Sequence, residues 1–179
     1  MSKSSRTPLV LAIASTLLLH AATLRAQVTP VSAPAPNPAR AAEALDMGLF
    51  RWPAGDTTGA LGGTLVRVTR GGRPDHLLVL WYGGRTPMWV TAGAPMVLLA
   101  DDDTLQAPSL GRVQRETAAD GNASETAAYR FTELQLRRLA LAGSISLRIF
   151  AEERILECEF TAENMHRLRL FVNGVVRGS

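Results

Sequence analysis

From Leu61 to Phe160 the apolar residues of this chain recur mostly at every second position, the spacing of half-buried strands. Thr64–Arg70 places Val66 and Val68 on one face, with Arg67 and Thr69 toward the other. His76–Gly84 is a nearly continuous apolar run closed by two glycines, which predicts a central strand covered on both sides. The Gly-Gly-Arg-Pro-Asp between them has turn composition, so the two form a hairpin. Residues 87–92 and 95–102 predict two more short strands, each opened by a proline that suits a strand start or edge. Residues 111–118 and 124–131 make a second hairpin around Asp120, Gly121 and Asn122, whose residue types accept positive φ. Ser144–Phe150 and Ile155–Phe160 alternate again.

The period changes twice. Thr132 followed three residues later by Gln135 is a capping-box arrangement, and Leu136, Leu139 and Ala140 then share a face until Gly143 stops the helix. Glu133 and Arg137, four apart, pair on its outside. Thr161 caps a last helix in which Met165, Leu168, Val172 and Val175 recur at helical spacing, with Gly174 as its end. Ala41–Met47 is rich in helix formers and predicts one short helix at the domain edge. Strands, a helix, a hairpin and a final helix describe an α+β domain over residues 41–179: an antiparallel sheet or β-sandwich with two short helices near the C-terminal end.

The N-terminus carries different signals. Lys3 and Arg6 precede an apolar run, Pro8–Ala22, and a small residue, Ala26, follows; residues 1–26 read as a secretory signal peptide. The run is shorter than the roughly 20 apolar residues a membrane-spanning helix needs. Residues 27–40 contain four prolines and no charge before Arg40, the composition of an extended, disordered linker. Removing residues 1–26 takes away Lys3, Arg6 and Arg25, three of the 19 basic residues set against 16 acidic ones, so the mature chain is close to neutral. That balance gives no support to nucleic-acid binding, which needs clustered positive charge. Cys158 is the only cysteine and cannot form an internal disulfide in the oxidising compartment that export implies. Stability must come from an apolar core.

Candidate chemistry is sparse. Alternation in Arg154–Phe160 sends Leu156, Cys158 and Phe160 to one face and Ile155, Glu157 and Glu159 to the other, so the cysteine faces the core as a small hydrophobe. Glu157 and Glu159 lie on one face about 7 Å apart by strand geometry. Paired carboxylates can do acid–base work, yet Arg148 on the preceding strand is their natural partner. Asp101–Asp103 reads as a polar turn, since it lacks the spacing of a calcium loop. Beyond the leader only His76 and His166 remain, too few for a three-histidine zinc site, and the sequence contains no G-x-S-x-G, phosphate-loop or H-E-x-x-H motif. No cofactor or metal is expected.

Leu80–Val90 is the one segment with the composition of a recognition surface. Trp81, Tyr82 and Trp89 surround Gly83, Gly84, Arg85 and Pro87, and Trp, Tyr and Arg dominate interaction hot spots. Trp81, Tyr82, Arg85 and Trp89 are therefore the candidate binding residues, Trp89 and Arg85 being the members expected to be exposed; the alternative is that the aromatics simply pack in the core of a hairpin. The sequence reads as an exported, periplasmic or extracellular protein that acts noncatalytically on an envelope protein or glycan partner, without nucleic acid and with no membrane span once the leader is cut. The alternative is an exported hydrolase built on a carboxylate and histidine site, with Glu157, Glu159, His166 and Asp101–Asp103 as its candidates. A structural subunit whose exposed strand edge pairs with a second copy is the third reading.

Overall fold

The computed structural model describes residues 42–52, 59–70, 72–152 and 154–176. The leader and linker, residues 1–40, lie outside them. Among the described residues nine antiparallel strands form two sheets. The five-stranded sheet has the order β1 (Ala42–Leu49), β2 (Gly59–Arg70), β3 (Arg73–Gly84), β7 (Ala123–Phe131), β6 (Ser109–Thr117). The four-stranded sheet has the order β5 (Asp103–Ala107), β4 (Met96–Ala100), β8 (Ile145–Phe150), β9 (Ile155–Glu159). Helices α1 (Glu133–Leu141) and α2 (Ala162–Phe171) come late in the chain, and α2 runs into a π-helical turn, Val172–Val176. This is the α+β architecture that the hydrophobic periods predict.

The inward positions follow from the alternation. Leu78, Leu80 and Tyr82 on β3 and Ala127, Tyr129 and Phe131 on β7 face Met96 and Leu98 on β4, Leu147 and Ile149 on β8, and Leu156 and Cys158 on β9. Apolar area removed from water drives this packing, at roughly 25 cal/mol per Å². The helices seal one end. Leu136 and Leu139 of α1 and Leu168 of α2 meet Met47, Leu65, Leu78, Leu98 and Phe131 there. Both helices carry a complete capping box, from Thr132 with Gln135 and from Thr161 with Asn164. Arg169 of α2 donates to the carbonyls of Ala140 and Ala142, supplying partners for the C-terminal end of α1.

The two sheets join at two corners. Only Pro108 separates β5 from β6, so one run of chain leaves the four-stranded sheet and enters the other. At the opposite corner Phe50 donates its N–H to Leu61 of β2 (2.9 Å), while the next residue, Arg51, exchanges both backbone hydrogen bonds with Glu159 of β9 (2.9 and 2.8 Å). Strands that switch sheets in this way make the corners of orthogonal sandwiches and barrels.

Three expectations are corrected. Ala42–Leu49 is a strand, where helix formers predict a helix over Ala41–Met47. Its side chains alternate, Leu45 and Met47 pointing inward, and pairing with β2 over seven rungs outweighs a local propensity of a few tenths of a kcal/mol per residue. Residues 87–92 form no regular strand: only Val90 makes a bridge, to Ala151. The backbone is turned aside at Trp89, whose φ is +58°. Strand β2 starts at Gly59, before the expected Thr64, because its glycines Gly62 and Gly63 hide the alternation.

Candidate functional site

Every second residue of the five-stranded sheet faces away from the core. One rung carries Leu49, Gly62, Trp81, Thr126 and Gln114 side by side across all five strands. The next carries Asp46, Thr64, Val79 and Ala128, and the one beyond it Ala44, Val66, Leu77 and Arg130. An antiparallel sheet with one solvated face normally places polar residues there. Here Leu49 is 54% and Trp81 38% exposed, with Val66 and Val79 half-buried beside them. The helices and the four-stranded sheet pack on the opposite face; on this one lies an apolar band in which Leu49 and Trp81 are left to solvent, while Leu77 is buried. At its β6 side lies a groove lined by Leu110, Arg112, Gln114, Thr126, Ala128 and Arg130.

Gly62 shapes the band. A Cβ at this position would fall inside the indole of Trp81, so the missing side chain lets the ring lie flat over β2 toward Leu49. An aromatic covering a strand glycine is a recurrent way to restore packing at such a position.

The end of the sandwich away from the helices is built on Glu125. Its place in the alternation of β7 points it inward beside Tyr82, and it is 2% exposed. Its carboxylate accepts the N–H groups of Trp89 (2.7 Å) and Val90 (3.0 Å) and the Nε–H of Arg115 (3.3 Å). Arg115 in turn donates to the Val90 carbonyl, and its guanidinium lies 5.6 Å from the centre of the Trp89 ring, within cation–π range. Glu125 therefore takes the two N–H groups that a regular strand over residues 87–92 would have given to a ladder. Left-handed backbone at a tryptophan costs about 1–3 kcal/mol, and this set of charged hydrogen bonds holds it in place.

The four expected binding residues do not meet on one surface. Trp81 lies on the outer face of the five-stranded sheet. Tyr82 is buried, and its hydroxyl donates to the Thr86 carbonyl (2.8 Å), which fixes the bend that follows β3. Arg85 is exposed in that bend, and Trp89, 48% exposed, lies beyond it against Arg115. Sequence reading missed Leu49 and Gly62, whose contribution depends on strand register. It missed Glu125 as well, although a glutamate in the apolar phase of Ala123, Ala127 and Tyr129 is a legible signal.

Of the carboxylates nominated for catalysis, Glu157, Glu159 and Asp101 are engaged in structure, while Asp102 and Asp103 are exposed. Glu157 pairs with Arg148, as expected, and Glu159 with Arg51. Asp101 accepts the N–H groups of Gly143 and Ser144, at 2.9 Å each, and the Ser144 hydroxyl. These bonds hold its carboxyl below the usual range. Cys158 is buried and His166 is exposed on α2. Among the described residues no three His, Cys, Asp or Glu side chains gather where they could hold a metal ion, and no helix is long and apolar enough to cross a membrane. Compared with known proteins, the chain matches no family model, no curated protein and no solved structure.

Proposed function

We propose that this protein is an exported, noncatalytic binding or assembly module of the cell envelope, whose recognition surface is the outer face of the five-stranded sheet around Trp81. The observation that supports this reading is the placement of Trp81 flat over Gly62 beside the exposed Leu49, on a face where a solvated sheet would carry polar residues. Burial of the indole supplies affinity. The arginines at the edges, Arg85 beyond β3 and Arg112 beside the groove, orient a protein or glycan partner.

The test is affinity capture from envelope extract with the wild-type protein, Trp81→Ala and Trp89→Ala, followed by mass spectrometry of proteins and glycans. The expected result is a salt-tolerant partner that is lost with Trp81→Ala and weakened less by Trp89→Ala. Partners retained equally by all three proteins would refute the reading.

A further inference from the structure

From the free edge of β6 we infer that this protein forms a twofold-symmetric dimer in which β6 pairs antiparallel with β6 of a second copy, joining two five-stranded sheets into one of ten strands. The inference does not need the Trp81 surface, although Arg112 borders both, and rests on four observations.

First, β6 is the last strand of its sheet. Among the described residues it pairs on one side only, with β7, through Ser109 and Val113–Thr117. An edge of this kind is a template for strand addition. Second, the strand pairs regularly with β7 over Val113–Thr117, a straight run of five residues that Arg112 adjoins at the end of the irregularity between Ser109 and Val113. Third, Arg112 and Glu116 are both exposed, and neither has an ion-pair partner among the described residues. They flank Gln114 on the outer face. Their Cα atoms are four residues apart, about 13 Å along a strand, too far to pair within one chain.

Fourth, only one register solves this. In a symmetric antiparallel pair the twofold axis passes through one residue, which lies opposite its own copy. With Gln114 on the axis, Arg112 of each chain lies opposite Glu116 of the other, giving two opposite-charge cross-strand pairs. Moving the axis to Arg112, Arg115 or Glu116 sets like charges face to face. Moving it to Val113 leaves Arg112 opposite Gln114. Charges on an edge strand ordinarily prevent pairing; here their sign and spacing select one partner, a second copy, and one register. In that register Arg115 lies opposite Val113 of the other copy on the inner side. The Trp89 ring, packed on Arg115, then borders the seam.

The experiment is sedimentation equilibrium on the protein purified after expression of the full chain, with circular dichroism to confirm folding of each variant. The expected result is a dimer whose dissociation constant rises about tenfold in Arg112→Glu and in Glu116→Arg, and returns toward the wild-type value when both changes are combined. Dissociation should also rise with salt. Gln114→Cys gives a second readout independent of those charges: directly opposed Cα atoms at about 4.5–5.5 Å permit a disulfide, so mild oxidation should link Gln114→Cys to its own copy and leave Arg112→Cys unlinked. A wild-type protein that stays monomeric at about 100 μM, single variants that dimerise like wild type, or a double variant that fails to recover would each overturn the inference.

Discussion

At the scale of single residues, Glu125 shows how one side chain can hold a whole corner of the molecule. Its two oxygens accept from two backbone N–H groups and one arginine, so its loss leaves the Val90 N–H buried without a partner and Arg115 without its carboxylate. Glu125→Ala is expected to lower the unfolding free energy by about 2–4 kcal/mol, discounted from the cost of a fully buried pair because Arg115 is one-third exposed. The same variant should shift Trp89 fluorescence to longer wavelength as the left-handed backbone relaxes. Urea unfolding followed by intrinsic fluorescence measures both effects. Unchanged stability would mean that the corner is held by the apolar contacts of Tyr82 and Met88 alone.

At the scale of elements, the two helices begin with the same motif in different surroundings. Gln135 is half-exposed and completes the α1 box, with a further bond to the Gln106 carbonyl. Asn164 completes the α2 box at 1% exposure and donates to the Met47 carbonyl of β1, so it also docks the helix on the sheet edge. Asn164→Ala should therefore cost about 2–3 kcal/mol in a thermal melt and Gln135→Ala about 1 kcal/mol or less. Equal costs would show that capping alone matters.

The same contrast explains what could be read from sequence. Capping boxes, buried helix faces, the core-facing Cys158 and the Arg148–Glu157 pair are local or one strand apart, and each appears as its spacing predicts. The failures are nonlocal. β1 becomes a strand because β2 is beside it, and residues 87–92 leave the ladder because Glu125, 35 residues away, takes the Val90 N–H. Of the candidate site, the exposure of Trp81 and Trp89 depends on register and on a backbone turn. Composition singled out both aromatics and pointed to Trp89 and Arg85 as the exposed members, as the structure has them, but gave no ground for separating Trp81 from the buried Tyr82.

At the scale of the whole molecule, stability should depend on acidity through His76. Its ring is 4% exposed, edge-on to Phe171, with Nε2 buried and lacking a hydrogen-bond partner among the described residues. Burial first, then the nearby Arg67 guanidinium, hold the imidazole below its ordinary value of 6.5, with Glu133 and Asp75 acting in the opposite direction. The unfolded chain therefore takes up this proton first. Stability is unaffected by His76 above about pH 7, falls as pH drops through 6.5, and stops falling once the folded ring is protonated too. Chemical denaturation at about pH 7.5 and pH 5.5 should show this loss in the wild type and a smaller one in His76→Leu. Equal losses would show that His76 does not set the acid sensitivity in this range, because carboxylates such as Glu163, which Arg167 holds below the usual range, give up their contribution only at pH below their ordinary value of 4.5.

The bridge between Arg51 and Glu159 spans 108 residues of sequence, which has a consequence for how the chain matures. Every hairpin can form as soon as its own two strands are made. The corner between β1 and β9 cannot close until the last strand has been synthesised. A contact of such long separation makes closure a late and slow event. Until then β1 and β9 each present an open margin to their surroundings. A chain cut short before Glu159 would keep most of its hairpins but lack both this corner and α2 with its Asn164 bond to Met47, so the contacts that finish the molecule all come from its last few dozen residues.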